Sequence, residues 1–407
     1  MRIPHSIIEV MKRPLLIGLV LATALGACSK DAPIEVTPFT TTLNRKTHKA
    51  WYEYVRPNMQ ELGWTLWEWN PQLAPAARMA SASNQPLLVW LERGHPLGNT
   101  SPEGKQRRAL WMDVSLNASL ARFQVAADDL NVLVPAEDAE GALAATLLNQ
   151  VADGGSAIRE NGGVLMASAS GVLLGSFSGQ DAAVLKAEFT TALSAWEALP
   201  REERRLTNMA DMVSTGRAAN DFPDDGLALE VHRRPLSADL DLNAPRSQNY
   251  THDYLWISAE EMAMVLPTKM GQTVEVPDSL AQRFALFTLV DDLHGSGQVF
   301  SPENLLQADL TFKGISNTGG TVRFTIHGEF SAANTDQRGM RCVLEGMGSV
   351  NLAQQRIASL NFAVQAQSWG PNVERMEDGS WPILGMAVHR VESYEGSHRI
   401  APTQISQ

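Results

Sequence analysis

Four stretches of polar and apolar alternation, residues 310–314, 321–330, 340–351 and 358–369, constrain this chain most. Period-two patterning broken by turn residues permits little besides an antiparallel meander. The separators are Asn317-Thr318-Gly319-Gly320, the loop 334–339 and Gln354-Gln355, which turn a strand rather than extend it. A sheet of at least four strands is expected, with one face buried and the other wet or under helices. Phe312, Val322, Phe324, Ile326, Leu344, Leu360, Phe362 and Val364 would line it, as a core or as an apolar cleft. Upstream, residues 227–233 alternate, 254–257 read as a strand, and Ser258-Ala259-Glu260-Glu261 has the spacing of a capping box. Residues 225–395 are therefore expected to form a β-rich α+β domain with an antiparallel sheet, followed by a disordered tail at 396–407.

The first half is patterned differently. Ala76, Ala77 and Ala80 predict a helix over 73–83, stopped at Asn84-Gln85-Pro86, and Pro86-Leu87-Leu88-Val89-Trp90-Leu91 is an apolar run suited to a strand covered on both faces. A second strand follows at 122–127, then an amphipathic helix at 137–151 carrying Leu143, Leu147 and Val151. Strands at 164–168 and 172–177 flank Ser170-Gly171, and a helix over 181–199 would bury Val184, Leu185, Phe189, Ala192 and Trp196. The order is helix, β, α, β, α, β, β, α. Ahead of it, Trp51, Tyr52, Tyr54, Trp64, Trp67 and Trp69 are expected to pack on this unit rather than to stack on a sugar or base. The charged run 200–205 and the loop 220–226 set the boundary between the halves.

That order resembles thioredoxin-like proteins, in particular the branch that opens with a tryptophan, an alanine-rich helix and a Pro-apolar strand. Here those features are Trp69, Ala76 with Ala80, and Gln85-Pro86-Leu87-Leu88-Val89, with Trp111-Met112-Asp113 ahead of the Phe123 strand. The resemblance covers about residues 67–200 and implies an α/β thioredoxin-like domain, placed with its aromatic extension at 46–205. At the reactive site the sequence departs from the family. Thioredoxin chemistry takes two cysteines at a helix amino end, where the dipole lowers the thiol pKa. The matching loop, Gly94-His95-Pro96-Leu97-Gly98-Asn99-Thr100, has none, and no proline stands near Ser168-Ala169-Ser170, where the family's cis-proline falls. The resemblance thus implies the scaffold without the redox chemistry. His95, Asn99 and Thr100, at a helix entrance, are candidate partner-binding residues. The alternative is that Asn99, Thr100 or Ser101 caps the helix and His95 is a surface turn residue.

Lys12 and Arg13, the apolar run 15–25 and Leu25-Gly26-Ala27-Cys28 have the layout of a secretion signal too short to span a membrane. The last four residues look like a bacterial lipobox. That resemblance implies a lipoprotein signal peptide at 1–27, started at Met1 or Met11, and acyl chains of the palmitate type on Cys28. Ser29, in place of an aspartate, implies the periplasmic face of the outer membrane. Residues 28–45, rich in Pro and Thr, read as a flexible tether. With Cys28 lipidated, Cys342 is the only remaining thiol and no intrachain disulfide can form. Removal of 1–27 leaves 30 basic residues against 44 acidic ones, a net −14 that argues against nucleic acid and anionic lipid surfaces as partners.

Catalytic constellations are sparse. Asp291-Asp292-Leu293-His294-Gly295-Ser296-Gly297 gathers an acid, a His and a Ser in one run, whereas a triad converges from separate elements and a nucleophile elbow needs G-x-S-x-G. The nine histidines are scattered without ligand spacing, so neither a metal nor another cofactor is expected, and Glu230-Val231-His232 and His252-Asp253 read as surface pairs. The sequence-based expectation is a membrane-anchored periplasmic lipoprotein whose redox-inactive thioredoxin-like domain binds a protein or peptide. Two alternatives stay open: a thiol enzyme or redox sensor using Cys342, and a carrier of an apolar ligand in the β-rich domain.

Overall fold

A computed structural model describes residues 42–58, 61, 67–98, 101–214, 221–237, 241–243, 249–294, 299–371, 373–392 and 396–402. Residues 1–27, where a signal peptide is expected, and Cys28, Asn99 and Thr100 lie outside the described residues. Strands β1 (Leu87–Glu92), β2 (Gln124–Asp129), β3 (Gly163–Ala167) and β4 (Leu173–Phe177) form a mixed sheet in the order β2-β1-β3-β4. β1 runs parallel to β2 and antiparallel to β3, and β3 is antiparallel to β4. β1 is buried along its whole length because both faces are covered. Leu88 and Trp90 point to one core with Trp69, Trp111, Phe123 and Phe189, while Leu87, Val89 and Leu91 point to the other with Leu73, Ala77 and Leu147. Trp69, Trp90 and Trp111 meet as three indoles with ring centres 5.0–5.6 Å apart.

The helices carry their own stop and start signals. With α1 given to His48–Val55, helix α2 (Leu73–Ser83) ends at Asn84, which takes the left-handed conformation at φ 56°. In α3 (Pro102–Leu110), Ser101 Oγ accepts from Gly104 N and proline fills the first turn, so Ser101 is the cap. α4 (Ala139–Gln150) and α5 (Ala182–Ala198) start from Asp138 and Asp181 caps. Leu185, Phe189, Ala192 and Trp196 of α5 are buried as expected. Val184 is not: it sits in the first turn, 50 % exposed, on the side away from the sheet.

The second sheet is larger than the alternation predicted. Its eight strands run antiparallel in the order β6-β5-β12-β11-β10-β9-β8-β7: β5 (Leu227–Leu236), β6 (Thr251–Ile257), β7 (Thr273–Glu275), β8 (Leu305–Thr318), β9 (Thr321–Ala333), β10 (Gly339–Asn351), β11 (Arg356–Trp369) and β12 (Ile383–Arg390). β12 escaped the sequence reading because Ile383-Leu384-Gly385-Met386-Ala387-Val388 is buried on both faces and shows no alternation. The eight residues expected to line a core or a cleft are core, each at most 3 % exposed and packed with α6 (Ala259–Val265) and α7 (Asp278–Thr288). Ser258 and Glu261 make the reciprocal capping box at the start of α6.

Two expectations about the termini are corrected. Trp67 and Trp69 do join the first sheet's core, but Trp51 and Tyr52 of α1, with Val55, pack on Leu236, Ala363, Ile383 and Ala387 of the second sheet, where small residues leave a groove. A Cβ on Gly385 would stand 2.5 Å from Val55 Cγ2, so the helix rests directly on the strand backbone. The tail is ordered over 396–402: Gly396–Arg399 forms a 3-10 turn, and Ile400 and Ala401 are buried beside Trp69 and Trp256 because the seam between the sheets needs filling. The same cluster contains Phe123 and Phe189 from the first sheet's side and Ala228 and Tyr254 from the second's, so the two share one core and belong to one compact unit. No helix among the described residues is long and apolar enough to cross a membrane.

Candidate functional site

His95, expected on the surface, is fully buried. Its Nδ1 accepts from Leu97 N at 3.3 Å, so the proton sits on Nε2, which donates to the Ala401 carbonyl at 3.1 Å and lies 3.6 Å from Asp253 Oδ1. Burial lowers its pKa, with Asp253 opposing. The loop after β1 is thus covered by the chain's end and by edge strand β6, and His95 serves the seam. The companion candidates Asn99 and Thr100 fall outside the described residues.

Along α3 a cleft of about 710 Å³ remains. Lys105, Arg108 and Met112 line one wall; Tyr250, Leu293 and His294 line another. Arg108 donates to the Tyr250 carbonyl and lies over the Tyr250 ring, 5.8 Å from its centre. Glu61, at the floor, is held by Arg234 Nη1 at 3.0 Å. The Lys105 ammonium, by contrast, has no hydrogen-bond or ion-pair partner among the described residues, and burial draws its pKa below the ordinary value. Asp292 and Asp291 oppose that shift from a distance, and a cation with no direct hydrogen-bond or ion-pair contact in a cleft of ligand size suits an anion there.

The largest departure from the sequence reading is on β5. Leu227, Leu229 and Val231 face one core, so the pleat puts Glu230, His232 and Arg234 on the opposite face. Register does the rest: His252 of β6 lies opposite His232, while Tyr254 and His389 of β6 and β12 flank Glu230. The expected surface pairs are therefore a buried block, with His232 at 1 % and His252 at 0 % exposure. His232 Nε2 lies 3.0 Å from His252 Nδ1, and each nitrogen is 3.4 Å from Glu230 Oε1. His389 Nε2 is 2.9 Å from the other carboxylate oxygen, Oε2. Burial pushes His232 down to about 3 and His252 well below its ordinary value, so both rings are neutral at neutral pH. For Glu230 burial acts upward, but His252 and the His389 hydrogen bond outweigh it and the carboxyl stays below its usual range. The signal was in the sequence: alternating apolar residues 227, 229 and 231 assign Glu230 and His232 to one common face. The pairing across strands was not, because register with β6 and β12 is a tertiary property.

Elsewhere, Asp291 accepts from Leu293 N and His294 N, which makes the expected capped turn, and Ser368 also donates to it. Ser296 lies outside the described residues. Cys342 is 5 % exposed, its Sγ is 3.9 Å from Thr288 Oγ1, and burial pushes the thiol up to about 12. No family model, curated protein or solved structure matches the chain.

Proposed function

We propose that this chain is a membrane-tethered envelope lipoprotein whose cysteine-free thioredoxin-like unit binds peptides through the cleft beside α3. The unpartnered Lys105 ammonium in that cleft carries the reading. The sheet order β2-β1-β3-β4, with β1 and β2 parallel and β3 and β4 a hairpin, supports the thioredoxin-like assignment. Redox inactivity has support from the α3 entrance, which is capped by Ser101 and Pro102, and from the protonated state of buried Cys342. The ligand chemistry that fits is a peptide's free C-terminal carboxylate on Lys105, with an apolar last side chain against Met112, Tyr250 and Leu293.

Acetyl-Ala-Leu with a free carboxylate and its carboxamide, titrated against the full-length chain in detergent, test this. The carboxylate is expected to bind and the amide to bind at least about tenfold more weakly, since a charge-assisted hydrogen bond contributes roughly 1.5–3 kcal/mol. Lys105→Met is expected to abolish the difference. Equal affinity for the two probes, or none for either, contradicts the cleft as a carboxylate site.

The anchor has its own test. Cys28→Ser leaves no thiol for the lipid, and the protein is expected to move from the membrane fraction to the soluble periplasmic fraction. Retention of that variant in washed membranes rules out attachment through Cys28.

A further inference from the structure

We propose that Glu230, His232 and His252 bind one divalent transition-metal ion of the zinc class, with His389 orienting the carboxylate. This goes beyond the cleft and is independent of it. The donor atoms are Glu230 Oε1, His232 Nε2 and His252 Nδ1, and they form a triangle with sides of 3.0, 3.4 and 3.4 Å. An ion bound tetrahedrally at about 2.0–2.1 Å from N and O ligands sets those ligands about 3.3 Å apart. The triangle thus has the size an ion imposes.

A carboxylate oxygen and two imidazole nitrogens converge on one point, and one cation would meet all three together. The arrangement also owes nothing to flexible segments. Glu230 and His232 are two residues apart on β5, and His252 is held opposite His232 by the β5/β6 ladder, so the strands themselves fix the three donors.

His389 supplies the supporting contact typical of metal ligands, from its Nε2 to Glu230 Oε2 at 2.9 Å. It turns Oε1 toward the two imidazoles. Its side chain is 32 % exposed and that of Glu230 12 %, while the other two ligands are sealed, so an ion reaches the site from the His389 side without moving a buried ring. Tyr52 of α1 stands beside His389, with its ring edge-on at 6.3 Å. Two imidazoles and one carboxylate suit zinc and its neighbours, whereas calcium and magnesium take oxygen donors.

The test is zinc titration of chelator-treated, full-length protein in detergent by calorimetry. Saturation at one ion per chain is expected, with affinity reduced about 100-fold or more in His252→Gln and 10- to 100-fold in His389→Ala. His327, exposed on β9 with Nδ1 at 2.9 Å from Glu345 Oε1, is the obvious competing surface ligand, and His327→Gln is expected to leave the high-affinity phase unchanged. Should His252→Gln fail to fold, cobalt(II) added to the wild type decides. Ligand-field bands that saturate at one equivalent and disappear on adding zinc support the site. Absence of those bands, or zinc affinity equal in wild type, His252→Gln and His389→Ala, identifies a hydrogen-bonded polar cluster and overturns the proposal.

Discussion

Arg233→Met is expected to destabilise the folded chain by about 3–5 kcal/mol, measured as the shift in denaturant midpoint at constant slope. Arg233 stands on the core side of β5 and is fully buried. Its Nη1 lies 3.2 Å from Asp253 Oδ2 and 3.3 Å from Asp292 Oδ2, and Nη2 donates to the Phe287 carbonyl at 3.2 Å. One guanidinium thus neutralises two carboxylates and ties edge strand β6 to the turn after α7. Methionine keeps most of the volume but leaves two buried acids close together without their shared cation. The wild-type arrangement need not be a large net stabiliser for this to hold, because the loss comes from the charges left behind. Adding Asp292→Asn to the variant is expected to restore part of the deficit. A shift below about 1 kcal/mol for Arg233→Met would show these carboxylates to be solvated.

Arg107→Met is expected to have a similar effect, about 3–5 kcal/mol at neutral pH, and one that shrinks in acid. Arg107 and Glu92 are both fully buried, in a two-pronged pair with Nε–Oε1 at 2.6 Å and Nη2–Oε2 at 2.7 Å. Trp90 Nε1 donates to Glu92 as well, and Arg107 also reaches the Asn161 carbonyl. Burial raises the Glu92 pKa above the ordinary carboxylate value even with Arg107 opposing, so removing Arg107 raises it further. A folded-state pKa above the unfolded one means that the folded state holds its proton more tightly. Stability from that group is therefore full below about pH 4.3 and falls as pH rises through the folded value. The gap between Arg107→Met and wild type should be narrower at pH 4.5 than at pH 7.5, read from denaturation curves at both. A gap that is constant or wider in acid contradicts this account of Glu92.

Legibility of the sequence followed how local each determinant is. The α5 stripe Leu185, Phe189, Ala192 and Trp196, the hairpin β3/β4 and the Ser258 cap depend on spacing within one element, and they stand where spacing placed them. β12 was invisible because a strand covered on both faces loses its alternation. The reach of β8 over 14 residues was invisible for another reason: its ends pair with β9 where the side chains follow no apolar pattern. His95 and the tail were misplaced for one common cause, the seam between the sheets, where Ile400 and Ala401 cover a loop that a free first domain would expose. For the polar block the residues are legible in the sequence and their setting is not. Glu230 with His232, and His252 with Asp253, are ordinary surface pairs until β5 lies between β6 and β12. Then Glu230 and His232, together with His252 and His389 from two other strands, occupy one patch of one sheet face.

That patch is where the structure departs furthest from what spacing alone implies, and its chemistry can be observed directly. Crystals of the full chain grown with zinc and measured on either side of the zinc absorption edge would give an edge-dependent difference map. A single strong peak about 2.0–2.2 Å from Glu230 Oε1, His232 Nε2 and His252 Nδ1 is the predicted result. A map with zinc only at surface positions such as His327, and none among these three atoms, would contradict it.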